Sequence, residues 1–492
     1  MHSLRPALAL LFSFCASCAG VDSGSGGHQR GLPASTRTSH PVIPATTPAD
    51  ARAAPPDVGA SAPTNGIVSP SVRPSPVVSM SVTPHHAVVA GTTGTLDLMI
   101  RLVGGGQAGA RPELDLAIVL DRSGSMAGDK LISAQRAAMG VINALGASDH
   151  VSFLTYGTDV VLHGRRRATN VMGKEAFRIR VHQVEAGGAT ALGPALFESL
   201  GLLHQAERSG DVLAHVLLLS DGRANQGESD PQVLATWARS AFGAGVGTST
   251  FGVGLDYNED LLTKLSDAGG GRYHFIEDAQ AKSDVLADEL AGLTSTIARR
   301  VVLQLRPPAG VEIEHVYGYE THRRGTQVSV LVGALSARQS RAILVRVHYT
   351  ATRARALALG EVRLRMTDAR AGTPAQTSQW PTVPVVSSPH HIPETTNIEV
   401  AVRAAELAAS ERLRMAARAL EAERFDEAQR TLRVAISELR SQNEASPAAI
   451  LGDELEGLEH ALVDVREARG SRSMNRRAQK RFKSRAYATA KR

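Results

Sequence analysis

The chain has 492 residues and a formal net charge of +6, with 54 Lys and Arg residues against 48 Asp and Glu residues. This length is sufficient for two or three domains. Both cysteines lie within the first 18 residues, which excludes a disulfide framework, a zinc–thiolate site and a cysteine nucleophile from the rest of the chain.

Residues 1–18 have the pattern of an export signal. An apolar run from Ala7 to Phe14 precedes Cys18 and is too short to span a bilayer as a helix. The segment resembles a bacterial lipoprotein signal, which implies cleavage before Cys18 and attachment of lipid to its thiol. It departs from the usual pattern at Cys15, where an aliphatic residue is typical, and an ordinary secretory signal is the alternative. We therefore expect a lipid-anchored protein of the bacterial cell envelope, or alternatively a secreted protein.

The next two segments differ sharply in composition. Residues 19–75 are dominated by Gly, Ser, Pro, Ala and Thr, which predicts a disordered linker. Within residues 76–110, apolar side chains at every second position from Leu96 to Leu102 predict a half-buried strand. We assign this strand to a β-sandwich whose other strands follow residue 297; a separate small sheet is the alternative.

Residues 111–297 carry the pattern of an α/β domain. Two unbroken apolar runs, Leu116–Leu120 and Val216–Leu219, are typical of central strands in a mostly parallel sheet with helices on both faces. The polar residues that follow these runs, or lie between them, are Asp121, Ser123, Ser125, Thr190 and Asp221. Ligands of open α/β sheets bind beyond the carboxyl ends of the strands, so we expect these side chains to gather at one mouth.

The chemistry of this set points to a hard divalent cation. Two carboxylates and three hydroxyls form an all-oxygen set that suits Mg²⁺, or alternatively Mn²⁺ or Ca²⁺. Taken singly, a Ser or Asp after a strand would more often cap the next helix. Taken together, they favour a metal site. Arg122 lies inside the first motif, where its charge either repels the metal or helps to attract an acidic partner.

This order of motifs resembles the metal-ion-dependent adhesion site of von Willebrand factor type A (vWA) domains. The resemblance covers roughly residues 113–296 and implies a Rossmann-like α/β fold. It also implies direct metal contact by three hydroxyls and largely water-mediated contact by two carboxylates, namely Ser123, Ser125 and Thr190 in the first group and Asp121 and Asp221 in the second. The last position on the metal would then accept an acidic side chain from a partner protein.

The remaining sequence predicts two further regions and a tail. Residues 298–387 show period-two patterns, most cleanly at Val362–Met366, and predict a β-sandwich. Residues 397–465 have helical periodicity and predict a helical hairpin that resembles one tetratricopeptide-like unit, with ordinary helix packing as the alternative. Residues 466–492 hold 11 basic residues and one acidic residue, so this tail is +10 and the rest of the chain is −4.

Such a tail predicts disorder, with anionic lipid or polysaccharide as a partner or with no specific partner. Nucleic acid is not expected next to an export signal. We expect a non-enzymatic adhesion or binding protein with no catalytic residues. One alternative is a regulatory or assembly subunit of an envelope complex in which the metal is structural. Another is a metal-dependent hydrolase, although the motifs hold no His or Glu to act as a general base.

Overall fold

The computed structural model describes residues 77–106, 111–168, 171–206, 212–221, 224–277, 284–352, 355–445 and 451–492. The predicted export signal, the lipidation site at Cys18 and the predicted linker lie outside the described residues. Among the described helices, none combines the length and the apolar character that crossing a bilayer requires.

Strands come first in the described chain, and an α/β region follows them. The strands before that region are β1 (Val78–Pro84), β2 (Val88–Val89) and β3 (Thr93–Gly104). The strands of the α/β region are β4 (Leu114–Asp121), β5 (His150–Tyr156), β6 (Val160–Arg167), β7 (Leu213–Ser220), β8 (Val246–Val253) and β9 (Gly270–Ile276). Its helices are α1 (Asp129–Ala144), α2 (Val171–His182), α3 (Leu192–Gln205), α4 (Pro231–Gly243), α5 (Glu259–Ala268) and α6 (Asp284–Thr294).

The α/β region is built on one sheet with the strand order β6-β5-β4-β7-β8-β9. Strand β6 is antiparallel to β5, and the other neighbours are parallel. Every residue of β4 and β7 is buried, as their apolar runs predict. Ile118 packs with α1, α2 and α6 on one face, whereas Val119 packs with α3, α4 and α5 on the other. The predicted fold class, an α/β fold with a mostly parallel sheet flanked by further sheets and helices, is confirmed.

Two further sheets share one core. The strands after the α/β region are β10 (Thr296–Arg306), β11 (Val311–Val316), β12 (Thr321–Arg324), β13 (Gln327–Ser336), β14 (Ser340–Thr350), β15 (Ala356–Ala358), β16 (Glu361–Asp368), β17 (Pro374–Gln379) and β18 (Thr382–Val386). The sheets β1-β3-β14-β11 and β12-β13-β10-β16-β17 bury Ile100, Leu303 and Ile343 in a common cluster. A small sheet, β15-β18-β2, joins them. Strand β3 therefore pairs with a strand that follows the α/β region.

One turn holds both ends of the α/β region. Beside the end of β3, the Gly104 amide donates to the carbonyl of Gln339 at 2.9 Å, and the Arg338 amide donates to that of Gly105 at 3.3 Å. At the other end, the Ala337 amide donates to the carbonyl of Ser295 at 2.9 Å. The turn between β13 and β14 thus joins the start and the end of the α/β region to the β-sheets.

The C-terminal part is helical to its end. After a short helix (Ile392–Thr395), the helices are α7 (Ile398–Glu421), α8 (Phe425–Ala445), α9 (Gly452–Ala468) and α10 (Arg472–Lys491). Among the described residues, the predicted hairpin of residues 397–465 contains three helices, because α7, α8 and most of α9 lie within it, and α10 packs against the same apolar cluster. The prediction that residues 466–492 form a disordered tail is wrong.

Helix α10 is ordered because a sparse apolar stripe runs between its charges. Ala478, Phe482 and Ala486 are spaced by four residues and join the core of the C-terminal helices. Tyr487 enters the core of the α/β region, where its hydroxyl donates to Asp267 Oδ1 at 3.0 Å. Ala490 packs against the β-sheets. One helix therefore contacts all three parts of the molecule.

The positive charge of α10 is largely matched by acidic residues of the same chain. Lys483 Nζ lies 3.0 Å from Asp260 and 2.7 Å from Glu421. Lys491 Nζ lies 2.9 Å from Asp267. Further pairs join α10 to acidic residues of the α/β region and of α9, with Arg476, Arg477, Lys480, Arg481, Arg485 and Arg492 as the basic partners. These ion pairs involve part of the excess negative charge, −4, that the rest of the chain carries. Residues 466–492 are therefore not a free basic segment that could bind an anionic surface.

Truncating Phe482 tests whether α10 is part of the folded core. Phe482→Ala should lower the free energy of unfolding by about 3–5 kcal/mol, because it empties a buried aromatic position. Urea denaturation followed by circular dichroism measures this loss. Arg472→Ala, at the exposed start of the same helix, serves as the control and should change stability by less than about 1 kcal/mol. Equal stability of the two variants would contradict a packed α10.

Candidate functional site

The carboxyl ends of β4 and β7 place two buried carboxylates side by side. Asp121 ends β4, and Asp221 directly follows β7, its neighbour in the sheet. Their relative exposures are 0% and 1%. Asp121 Oδ1 accepts a hydrogen bond from the Ser123 amide at 2.8 Å, and its Oδ2 accepts one from the Ser220 hydroxyl at 2.9 Å.

A chain of hydrogen bonds connects three of the predicted site residues. The hydroxyl oxygens of Ser123 and Ser125 lie 3.1 Å apart, and the Ser125 hydroxyl donates to Asp221 Oδ1 at 2.9 Å. The chain turns sharply here because a 3₁₀ turn at Gly124–Met126 follows β4 directly. This turn brings both serine hydroxyls to the mouth between β4 and β7.

The segment that carries Thr190 lies against this turn. The Gly124 amide donates to the carbonyl of Gly188 at 3.1 Å. Gly188 has φ +84°, a left-handed conformation that favours glycine, and a Cβ there would lie 2.6 Å from the Thr158 hydroxyl. Thr190 is buried, and its amide donates to Asn225 Oδ1 at 2.7 Å. The structure therefore places the segment of Thr190 beside the serines and also ties it to the loop that follows Asp221.

Arg122 contributes to the site through its backbone. Its amide donates to the carbonyl of Tyr156 at 2.8 Å, and its carbonyl accepts from the Gly187 amide at 2.6 Å. These two bonds join the end of β5 to the Thr190 segment. The guanidinium lies against Gly157, where an added Cβ would be 3.5 Å from Arg122 Cζ.

Burial makes the negative charge at Asp121 unfavourable. Desolvation raises the pKa of this carboxyl above its ordinary value, hydrogen bonds from Ser123 and Ser220 act in the opposite direction, and the nearby charge of Asp221 raises the pKa further. A nearby cation would lower this pKa and favour the ionised form.

The Asp221 carboxylate already has a cationic neighbour. Lys130, in the first turn of α1, places its Nζ 2.5 Å from Asp221 Oδ2 and 3.3 Å from the carbonyl oxygen of Ser125. Both carboxylate oxygens of Asp221 are thus engaged, one by a hydroxyl and the other by an ammonium group.

The carboxylate and hydroxyl oxygens at the mouth between β4 and β7 would suit a hard cation whose direct ligands are mainly uncharged groups. Within the described ranges, no cluster of three or more His, Cys, Asp and Glu side chains is arranged to hold a metal. The candidate site differs from such a cluster because it combines two carboxylates with the hydroxyls of Ser123 and Ser125. Oxygen-only sites of this kind suit Mg²⁺ or Mn²⁺ and exclude the softer metals that prefer nitrogen and sulfur.

Sequence reasoning missed the residues that support this site. Ser220 stands next to Asp221 at the end of a predicted strand, and this position could have indicated that its hydroxyl also lies at the site. The position of Lys130 was also informative. A lysine in the first turn of a helix interacts unfavourably with the helix dipole, which indicates that it has a specific partner. Asn225 carried no such signal, since its contact with Thr190 depends on how two loops meet.

The comparison with protein families identifies the α/β region. A family profile described as the von Willebrand factor type A domain matches residues 115–288. The chain contains a vWA domain. Domains of this family generally mediate adhesion and protein interaction and are generally not enzymes.

Relatives extend this similarity without covering whole proteins. The uncharacterized protein YfbK of Escherichia coli (strain K12) is 28% identical over 217 residues, which are 42% of this chain and 36% of that protein. Inter-alpha-trypsin inhibitor heavy chain H3 of Homo sapiens is 28% identical over 211 residues, 41% of this chain and 22% of that one. The chain therefore spans only about a third or less of these relatives.

A solved structure shares the arrangement beyond the vWA domain. The protein described as von Willebrand factor type A from Catenulispora acidiphila aligns with a TM-score of 0.65 and 19% identity, covering 80% of this chain and 90% of that one. At this identity the likeness shows the fold. The surrounding sheets and helices are thus part of an architecture that another vWA protein also has.

The Ser220–Asp121 hydrogen bond gives a pH-dependent prediction. Ser220→Ala should lower the free energy of unfolding by about 1.5–3 kcal/mol at pH 8, because it removes a buried donor to a charged acceptor. The loss should shrink as pH falls through the pKa of Asp121, since a protonated carboxyl depends less on that donor. Urea denaturation across pH 4–8 measures the trend. Ser199→Ala removes a buried hydroxyl bound to the neutral Leu196 carbonyl, and a loss with the same pH dependence in that control would contradict the assignment.

Proposed function

We propose that this protein is an envelope-anchored, non-enzymatic binding protein whose vWA domain uses a divalent cation to capture an acidic side chain of a protein partner. The observation that carries the proposal is the continuous contact of Ser123, Ser125 and Asp221 beside the buried Asp121. Mg²⁺ is the proposed cation, with Mn²⁺ as a close substitute.

The residues of the candidate site would have different roles in binding the cation. Ser123, Ser125 and Thr190 would offer neutral oxygens directly to the cation. Asp121 and Asp221 would balance part of its charge from buried positions, and Ser220 keeps Asp121 oriented. A cation held by so few charges retains a strong attraction for an external carboxylate, which is the chemistry that the bound metal supplies.

The loops around the site are held in place by hydrogen bonds within the chain. The Thr190 segment is fixed on both sides, by the amide of Gly124 and by the side chain of Asn225. The site is therefore organised before a partner arrives, which lowers the cost of ordering it on binding.

Metal titration tests the cation site directly. Titration of the metal-free protein with Mn²⁺, followed by the electron paramagnetic resonance signal of free Mn²⁺, should show one site in the wild type. Ser125→Ala and Thr190→Ala should each weaken binding at least about tenfold, because each removes one oxygen ligand. Thr236→Ala, which removes an exposed threonine hydroxyl on α4, is the matched control and should bind as the wild type does.

The same sample reports whether the bound metal accepts a carboxylate. Acetate is the simplest probe of that group. It should displace water from bound Mn²⁺ and lower the water-proton relaxation enhancement, whereas chloride at equal ionic strength should not. A wild type that binds no Mn²⁺, or bound Mn²⁺ whose relaxation is indifferent to acetate, would contradict the proposal.

The anchoring part of the proposal rests on Cys18. Expression in a bacterium with a clickable palmitate analogue should label the wild-type protein and leave Cys18→Ser unlabelled, because only a thiol at the cleavage point accepts the lipid. Cys15→Ser is the matched control and should remain labelled. No label in the wild type would favour an ordinary secretory signal, and label that persists in Cys18→Ser would contradict Cys18 as the lipidated residue.

A further inference from the structure

Lys130 occupies an unusual position for a lysine. It lies in the first turn of α1, where the helix dipole disfavours a positive charge. Its ammonium group contacts a carboxylate oxygen of Asp221, whose side chain is fully shielded from solvent, at 2.5 Å. This contact neutralises the charge of Asp221 without any metal, so the site already contains a cation of its own.

The path of the Lys130 side chain is set by the loop after β8. Gly254 in this loop has φ +76°, and a Cβ at this position would lie 2.9 Å from Lys130 Cε. The absence of a side chain lets the lysine stem pass close to the backbone. Two residues further along, Asp256 Oδ2 lies 3.8 Å from Lys130 Nζ. The ammonium group therefore lies between two carboxylates, one buried and one half exposed.

Asp256 in turn connects the site to α10. Its carboxylate forms an ion pair with Arg476. The neighbouring Tyr257 accepts a hydrogen bond at its carbonyl from Lys480 Nζ at 2.9 Å, and the same ammonium group lies 3.9 Å from the centre of the Tyr257 ring. The loop between β8 and α5 is thus held between Lys130 on one side and α10 on the other.

We propose that Lys130 is the resident counter-ion of Asp221, that a divalent cation entering the site displaces it toward Asp256, and that this displacement weakens the attachment of Asp256 to α10. The inference rests on the proposed cation site and adds the residue that sets its affinity. It also connects the cation site, through Asp256, to the C-terminal helices. The binding proposal by itself includes no such connection.

The direction of the effect follows from charge. Two cations that share one buried carboxylate repel each other strongly, because little solvent screens them. The divalent ion carries the higher charge, so the ammonium group is the one that moves. Asp256 is the acceptor within reach, and a lysine that moves closer to it competes with Arg476 for the same carboxylate.

Neutralising Lys130 tests the competition. Lys130→Gln keeps a hydrogen-bond donor but removes the charge. It should tighten Mn²⁺ binding roughly tenfold, as measured by titration with the electron paramagnetic resonance signal of free Mn²⁺. Lys130→Arg keeps the charge and should not tighten binding. Lys264→Gln removes a lysine of α5 that is not part of this contact chain, and it controls for the change in net charge. Wild-type affinity, or weaker binding, in Lys130→Gln would overturn the inference.

Hydrogen exchange tests the connection to α10 in the full chain. Saturating Mn²⁺ should speed amide exchange in the first half of α10 in the wild type, because the pair of Asp256 with Arg476 weakens. Asp256→Asn should show fast exchange there with or without Mn²⁺. An α10 that exchanges identically with and without bound Mn²⁺ in the wild type would overturn this part.

The two proposals fail in different ways. If the wild type and Lys130→Gln bind Mn²⁺ equally well, the cation site stands and the counter-ion inference falls. If only Lys130→Gln binds, Lys130 blocks the site, and both metal binding by the wild type and displacement of Lys130 by the cation are contradicted. If neither binds, both proposals are contradicted, because removing the competing charge should have opened the site.

Discussion

Two buried carboxylates at the ends of adjacent central strands are the constraint on which the rest of the site depends. Asp121 and Asp221 cannot both stay ionised next to each other in a dry environment unless donors or cations compensate them. The protein supplies serine hydroxyls, a backbone amide and the ammonium group of Lys130. These groups come from the turn after β4, from the end of β7 and from the first turn of α1, so three different elements meet at the mouth of the sheet.

Much of the vWA domain can be predicted from the sequence because parallel sheets impose strong local patterns. The run Leu116–Leu120 is apolar throughout because both faces of a central strand are covered. The polar residues after such a run must lie at the carboxyl edge, which is why Asp121, Ser123 and Asp221 could be grouped without coordinates. The grouping of Thr190 with them had weaker support from the sequence, since Thr190 follows neither apolar run and no local pattern fixes where a loop residue lies in space.

The prediction failed where long-range contacts decide the structure. Residues 466–492 appear too charged to fold when considered alone, but α10 finds acidic partners on the vWA domain and places Phe482 and Tyr487 in two different cores. Composition does not reveal such partners, because they are two hundred or more residues away, as in the contact of Lys483 with Asp260. The role of Lys130 was not predicted for a related reason. Its partners, Asp221 and Asp256, lie in the loops that follow two other strands, β7 and β8.

The turn that holds both ends of the vWA domain has a consequence for how the chain acquires its structure. Strand β3 lies between β1 and β14, and the contact of Arg101 with Ser340 joins residues 239 positions apart. During synthesis, one edge of β3 therefore has no β14 to pair with until the vWA domain and the residues that follow it up to β14 have emerged from the ribosome. Late pairing of this kind slows folding and leaves an aggregation-prone edge open in the meantime. A chain with this topology keeps that edge unpaired for longer than a chain whose neighbouring strands follow one another in sequence.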